Sequence, residues 1–170
     1  MNVLDIVQNS ISAGASLIGI EVAEDTEKDR LAIVIEDNGR GMTEEQVRAV
    51  TDPFYTTRTT RRVGLGVPFF KMAAEMTGGG LRIESQPGKG TRLTAEFVLS
   101  SIDCMPLGDM NGTIKTLIQM NPNLDFVFRR KKNAEIHTLD TRELREILGD
   151  VPLNDPEVME WITGNLEEFI

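Results

Sequence analysis

Asp37-Asn38-Gly39-Arg40-Gly41-Met42 directly follows the apolar run at residues 31–35, and this stretch decides the fold. The pattern predicts a strand that ends at a carboxylate, followed by a turn in which the glycines permit sharp bends. Taken alone, an Asp-x-Gly-x-Gly stretch is a common turn. A carboxylate at a strand end can also accept a hydrogen bond from an exocyclic amino group. The choice between these two interpretations depends on the rest of the chain.

Three further stretches accompany it along the chain. Residues 4–10 place Asp5 and Asn9 one helical turn apart, so their side chains share a face of the predicted helix. Residues 52–58 read Asp-Pro-Phe-Tyr-Thr-Thr-Arg, and residues 62–66 read Arg-Val-Gly-Leu-Gly. The combination of four stretches in this order is far more specific than any single glycine motif.

The ordered set resembles the N, G1, F and G2 boxes of the GHKL superfamily, the ATP-binding domain shared by gyrase, histidine kinases and MutL mismatch-repair proteins. The resemblance implies the Bergerat fold, an α/β fold in which a two-layer α/β sandwich packs helices on one face of a mixed sheet. We therefore predict a histidine-kinase-like ATP-binding domain at residues 1–100. Residues 101–170 match no motif and are predicted to form a small α+β C-terminal extension of unknown role.

Hydrophobic periodicity and turn residues predict the individual elements. The predicted helices cover residues 2–13, 44–51, 68–76, 110–120, 142–148 and 156–169. The predicted strands form three pairs, at residues 17–24 with 31–36, 81–85 with 91–99, and 126–129 with 135–139. Four methionines are interpreted as core filler: Met42, Met72, Met76 and Met105. Trp161 lies on the last helix, which we expect to dock on its own domain.

The resemblance implies ATP and Mg²⁺ as cofactors, with Asn9 as the metal ligand, because amide oxygens suit this ion. In the MutL and gyrase branch, the acid four residues before this Asn is the general base that activates water. That position is Asp5 here, where relatives usually have Glu, so the carboxylate reaches roughly 1.5 Å less far. A misplaced base slows hydrolysis. The alternative is that Asp5 only stabilises the N-terminus of its helix.

The family pattern gives Asp37 the contact with the adenine amino group, assisted by a water that also touches a Thr on a late strand. Thr91, directly after Gly90, matches that Thr. Gly39 and Gly41 are predicted to let the backbone approach the base and the sugar.

Residues 54–58 resemble the start of the ATP lid of histidine kinases. Thr56, Thr57 and Arg58 would then contact phosphate oxygens. The alternative for the arginines of this segment is a solvated basic loop. The Gly64-Leu65-Gly66 stretch opens a helix, so its free amides are predicted to bind phosphate.

Composition excludes several classes of function. The 170 residues include 40% hydrophobic and 26% charged residues, and no apolar run reaches the ~20 residues that cross a bilayer. The net charge of −9 argues against binding along a nucleic-acid backbone. We see no signal peptide, and Cys104 is the single cysteine, which fits a reducing cytoplasm.

Two classes of function fit these observations. The first is a cytoplasmic signalling kinase-like ATPase that acts with a separate protein partner. The chain begins just before its first motif, so we expect the phosphoacceptor on another molecule; His137, the single histidine, is interpreted as structural. The second class is an ATP-gated binding module with negligible turnover, which a poorly placed Asp5 favours. An anti-sigma-like serine kinase is a further alternative, and a homodimer is possible in each case.

Overall fold

The computed structural model describes residues 3–52 and 66–169. Its helices are α1 (Val3–Ser12), α2 (Glu44–Thr51), α3 (Gly66–Met76), α4 (Met110–Met120), α5 (Thr141–Leu148) and α6 (Pro156–Glu167). Its strands are β1 (Leu17–Asp25), β2 (Arg30–Asp37), β3 (Gly80–Ser85), β4 (Thr91–Val98), β5 (Asp125–Lys132) and β6 (Glu135–Asp140). The strands form one sheet in the order β3-β4-β2-β1-β5-β6.

The sheet is mixed, as predicted. β1 runs parallel to β5, whereas each of the other neighbouring pairs is antiparallel. The predicted elements are confirmed to within a few residues at their ends. Two local signals explain this agreement: Thr43 and Gln46 form a reciprocal capping box at the start of α2, and Gly14 ends α1 with φ of 76°.

Alternation along the strands separates a buried face from a polar face of the sheet. The buried positions join the apolar faces of the helices in one core: Ile18, Ile20, Val22, Leu31, Ile33, Ile35, Leu93, Ala95, Phe97, Phe126 and Phe128. The opposite face carries ion pairs that bridge neighbouring strands, such as Glu96 with Arg30 at 3.6 Å and with Arg82 at 3.7 Å. The helices therefore cover the face that Asp37 shares with Ile33 and Ile35.

The methionine interpretation is wrong for three of the four residues. Met72, Met76 and Met105 are 51%, 58% and 58% exposed, and Met42 is half-buried. On α3 the helix was predicted correctly but its buried face was not. Val67, Phe70 and Ala74 face the core, so Met72 and Met76 lie on the opposite side of the helix.

Trp161 also departs from expectation, because its side chain is 53% exposed. Val158, Ile162 and Leu166 of the same helix are buried, so α6 does dock on the core as predicted. Trp161 is therefore not among the buried residues of this helix.

Residues after 100 continue the sheet instead of packing beside it. β5 pairs with β1 from Leu17↔Asp125 onwards, and β6 adds the outer strand. At the start of α5, Asp140 caps the helix, and its hydrogen bond from Arg142 holds the pKa of the carboxyl below its usual value. The proposed boundary at residue 100 falls between β4 and α4, and the two-domain division stays a prediction. Along the described chain, no helix combines the length and hydropathy that a membrane span requires.

Candidate functional site

Asp37 is the last residue of β2 and lies on the helix-covered face of the sheet. Its Oδ2 accepts a hydrogen bond of 2.6 Å from the hydroxyl of Ser10, and its Oδ1 accepts one of 2.8 Å from the backbone N–H of Gly39. Ser10 belongs to the buried face of α1 and is 4% exposed. Since an ionised carboxylate offers about four acceptor positions, the two donors fix its orientation and leave it able to accept more.

A cavity of about 220 Å³ lies between the sheet and helices α1, α2 and α3. Four of the predicted site residues line it, namely Asn9, Asp37, Gly41 and Thr91. Apolar side chains form much of the wall: Ile6, Ile35, Val50, Val67, Ile83 and Leu93. The arrangement suits a flat, largely apolar group with a polar edge, which would lie between the apolar walls and meet oxygens at one end.

Asn38 anchors the turn after β2 to the connection between α1 and β1. Its Oδ1 accepts from the N–H groups of Ser16 and Leu17 at 2.8 and 3.0 Å, and its Nδ2 donates to Ser16 Oγ at 2.9 Å. The N–H of Arg40 donates to the carbonyl of Ala13 at 3.0 Å. These contacts hold the turn against the end of α1, and they place Gly39 where it donates to Asp37.

The glycines of this turn allow close approach within the chain itself. A Cβ on Gly39 would lie 2.9 Å from Ala13 Cβ. Gly41 has φ of 71°, and a Cβ there would lie 1.9 Å from the carbonyl oxygen of Gln86. The requirement for glycine therefore follows from internal packing, and the predicted approach to a base and sugar stays a prediction.

The turn between β3 and β4 closes the other side of the cavity. Gly90 has φ of 81°, and a Cβ there would lie 2.0 Å from the carbonyl oxygen of Asp37. Thr91 follows, with its Oγ1 at 2.9 Å from the hydroxyl of Ser85. Ser85 Oγ also accepts from the N–H of Met42 at 2.9 Å, so one hydroxyl joins this turn to the turn after β2.

Asp5 and Asn9 are exposed side chains one turn apart on α1. Asn9 lines the cavity, whereas Asp5 does not contribute to its described wall. Asp5 lies against the start of α3, because a Cβ added to Gly66 would come within 3.1 Å of Asp5 Cβ. The structure thus places the predicted metal ligand at the cavity and the predicted base beside the first turn of the neighbouring helix.

The remaining predicted contacts fall largely outside the described residues. Thr56, Thr57, Arg58, Gly64 and Leu65 belong to the part of the chain for which no structure is described. Gly66 is described and begins α3, as the motif predicted.

Three residues of the site were missed from the sequence. Ser10 could have been recognised as a polar residue on the buried face of an amphipathic helix, since such groups need a hydrogen-bond partner. Asn38 lies within the recognised motif, but its contacts depend on the fold. Ser85 gave no signal of its own, because a serine at a strand end is ordinary.

Comparison with known proteins identifies the family of this chain. The family model described as "Histidine kinase-, DNA gyrase B-, and HSP90-like ATPase" matches residues 2–101. A putative sensor protein of Shewanella frigidimarina is 32% identical over 102 residues, which are 59% of this chain and 16% of that protein. The sensor protein kinase FleS of Pseudomonas aeruginosa is 35% identical over 105 residues, which are 62% of this chain and 25% of that protein. The chain thus spans at most a quarter of the length of these two relatives.

A crystal structure of the N-terminal domain of a DNA repair protein shares the fold. It superposes with a TM-score of 0.56 at 14% identity, and the match covers 81% of this chain and 50% of that one. The similarity extends to more of this chain than the family model does. The mixed sheet and the cavity at the end of β2 agree with this family. The match over residues 2–101 shows that the chain belongs to the histidine kinase-, DNA gyrase B- and HSP90-like ATPases.

Proposed function

We propose that the chain binds Mg·ATP in the cavity beside Asp37 and acts as a signalling kinase-like ATPase with a separate protein partner. The observation that carries the proposal is the position and hydrogen bonding of the Asp37 carboxylate. Two internal donors orient its carboxylate, yet the residue lines a cavity with apolar walls. Such a carboxylate suits the exocyclic amino group of adenine, which needs an acceptor.

The size of the cavity fits the base better than the whole nucleotide. Its 220 Å³ falls below the ~300–1,000 Å³ that is typical of sites for drug-sized ligands. We therefore place the base inside, with the sugar and phosphates extending past the exposed Asn9 towards the start of α3. Thr91 would share a water with the base, and Thr56, Thr57, Arg58, Gly64, Leu65 and Gly66 are the proposed phosphate contacts.

Asn9 fits a role in holding Mg²⁺, because its amide is exposed and at the rim of the cavity. One amide is sufficient for an ion that keeps several waters and phosphate oxygens in its octahedron. When bound, the ion would neutralise phosphate charge and fix the phosphate geometry.

Binding in this cavity is tested by Asp37→Asn, with titration calorimetry of Mg·ATP. The change replaces an acceptor-only group by one that carries its own N–H donors, so we expect affinity to fall about 10- to 100-fold. Glu36→Gln is the matched control, because Glu36 precedes Asp37 on the same strand but is exposed on the opposite face. Unchanged affinity in Asp37→Asn, in a variant that remains folded by circular dichroism, would refute the adenine contact.

The second candidate function is an ATP-gated module with negligible turnover. The short side chain of Asp5, which stands where relatives usually have Glu, favours it, since a general base must come within reach of the attacking water. Asp5→Glu extends the carboxylate by one methylene and separates the candidates. If Asp5 is a base that falls short, phosphate release from γ-labelled ATP should rise in Asp5→Glu and fall in Asp5→Ala.

Equal rates in the wild type and both Asp5 variants would contradict a role in hydrolysis. The same labelled nucleotide, added with cell lysate, distinguishes transfer from hydrolysis because a phosphorylated partner retains the label. ATP binding without phosphate release or labelled protein would favour the gated module.

A further inference from the structure

Ser85 occupies the point where three parts of the site meet. It is the last residue of β3 and pairs with Thr91, the first residue of β4. Its Oγ lies 2.9 Å from the N–H of Met42, 2.9 Å from the carbonyl oxygen of Gly90 and 2.9 Å from Thr91 Oγ1. The side chain is half-buried, so these protein groups are its main partners.

The number of protons at Ser85 determines the direction of each hydrogen bond. A serine hydroxyl has one proton to donate and two lone pairs to accept with. The Met42 N–H can only donate, and it occupies one lone pair. The Gly90 carbonyl can only accept, and it takes the single proton. Thr91 must therefore donate its own proton to the remaining lone pair of Ser85.

This direction leaves Thr91 without a proton for a ligand. Thr91 lines the cavity, and its oxygen then presents only lone pairs there. Asp37 is acceptor-only as a carboxylate, and the proton of Ser10 is already donated to it. The edge of the cavity formed by these three side chains consequently offers acceptors and no donor.

We propose that Ser85 is a positioning residue for base selection, because its hydrogen bond with Thr91 keeps this edge acceptor-only and so favours 6-amino purines over 6-oxo purines. The inference rests on the proposed nucleotide binding and adds a determinant of its specificity. A free threonine hydroxyl can rotate and donate to the water that it shares with the base, and that water can then donate to a carbonyl. When Thr91 and Asp37 both accept from the water, the water can only accept from the base, as it does from an amino group. Because Ser85 accepts the Thr91 proton, a 6-oxo base loses the hydrogen-bond donor that it would otherwise find at this edge.

The test compares Mg·ATP with Mg·ITP, because inosine carries a 6-oxo group without the extra 2-amino group of guanine. Dissociation constants for both are measured by calorimetry on the same preparations of wild type, Ser85→Ala and Ser85→Thr. The wild type should prefer ATP. In Ser85→Ala the freed Thr91 hydroxyl can donate to the water that it shares with the base, and that water then keeps a proton for the 6-oxo group. The ITP-to-ATP ratio of dissociation constants should therefore fall roughly three- to tenfold. Ser85→Thr keeps the hydroxyl and should restore the wild-type ratio.

A second comparison shows whether Ser85 acts through Thr91. In a Thr91→Val background there is no hydroxyl to release, so adding Ser85→Ala should leave the ratio unchanged. A purely structural role for Ser85 would instead weaken both nucleotides by the same factor, and the ratio in Ser85→Ala would stay at its wild-type value.

The outcomes separate this inference from the proposed function. If the wild type binds ATP and Ser85→Ala keeps the wild-type ratio, the role of Ser85 is wrong and nucleotide binding stands. If the wild type binds neither nucleotide, the proposed function fails and the inference fails with it. A ratio that falls equally in Ser85→Ala and Ser85→Thr would also overturn the role of the hydroxyl.

Discussion

Asp37 and Asp125 both stand at strand ends of the same sheet, and each collects hydrogen-bond donors from a helix. Asp37 accepts from a hydroxyl and a backbone N–H, and it lines a cavity. Asp125 accepts from Thr141 Oγ1 at 2.9 Å and from Arg145 Nε at 2.7 Å. Among the described residues, no lysine or arginine forms an ion pair with Asp37.

The two carboxylates differ in whether a cation neutralises their charge. The guanidinium of Arg145 neutralises Asp125 and also donates to the carbonyls of Pro122 and Leu124, at 2.7 and 2.8 Å. That cluster fastens α5 to the start of β5, and its carboxylate is paired with a cation. The cluster at Asp37 keeps a negative group with spare lone pairs beside an apolar cavity. We call a cluster closed when a cation neutralises its carboxylate, and open when no cation of the described residues does so. A closed cluster stabilises the fold, whereas an open one is suited to a ligand.

Arg145→Met should produce the largest effect, on stability and not on nucleotide binding. The change leaves a partly buried carboxylate without its cation, and two carbonyls lose a donor. Since both side chains are about one-third exposed, we expect a loss of about 2 kcal/mol in the free energy of unfolding, less than for a fully buried pair. Urea unfolding measures this loss, and calorimetry measures ATP affinity below the transition.

Arg142→Met is the control for that variant, because it lies on the same helix and pairs with an acid at the helix start. Its guanidinium is exposed, so its loss of stability should be clearly smaller. Equal losses for the two variants, or a fall in ATP affinity with Arg145→Met, would contradict the closed character of the Asp125 cluster.

Ser10→Ala should have the reverse profile, with a greater effect on binding than on stability. It removes the donor that orients Asp37 Oδ2, while Gly39 still holds Oδ1. We expect ATP affinity to fall roughly fivefold, corresponding to about 1 kcal/mol. Calorimetry and urea unfolding on the same preparation give both quantities. A loss of stability as large as that of Arg145→Met, with binding unchanged, would make this cluster structural too.

Asn9→Ala should have the smallest effect, because water can replace one ligand of Mg²⁺. We expect about threefold weaker ATP binding in the presence of Mg²⁺ and a smaller change in its absence. Gln8→Ala is the control, since Gln8 is also exposed and precedes Asn9 on α1. Equal losses with and without the metal would assign Asn9 to the nucleotide or to the helix instead of the ion.

The same comparison shows which features could be predicted from the sequence. Asp37 is predicted as a site residue from a short stretch, a strand end followed by glycines, and the structure places it at a cavity. The capping box of Thr43 and Gln46 is likewise a local signal, and the structure confirms it. Local signals of this kind were sufficient for the strands and the helices, and they pointed to Asp37 but not to its donor Ser10.

The features that were missed depend on contacts distant in sequence. The sequence of residues 17–25 does not indicate that β5 pairs with them in parallel, so the continuation of the sheet was not predicted. The Asp125–Arg145 cluster follows from that pairing. Met72 and Met76 are predicted as core residues because they recur at helical spacing with Phe69, but Phe69 is 56% exposed as well. Only the position of the sheet decides which side of that helix is buried.

The central claim is that Asp37 accepts a hydrogen bond from an adenine amino group in the cavity at the end of β2. A crystal structure of the protein with a non-hydrolysable ATP analogue and Mg²⁺ tests it most directly. We predict the exocyclic nitrogen at about 2.7–3.2 Å from a carboxylate oxygen of Asp37, with the ring between the apolar walls. A bound analogue whose base lies outside this cavity, or whose amino group points away from Asp37, would contradict the claim.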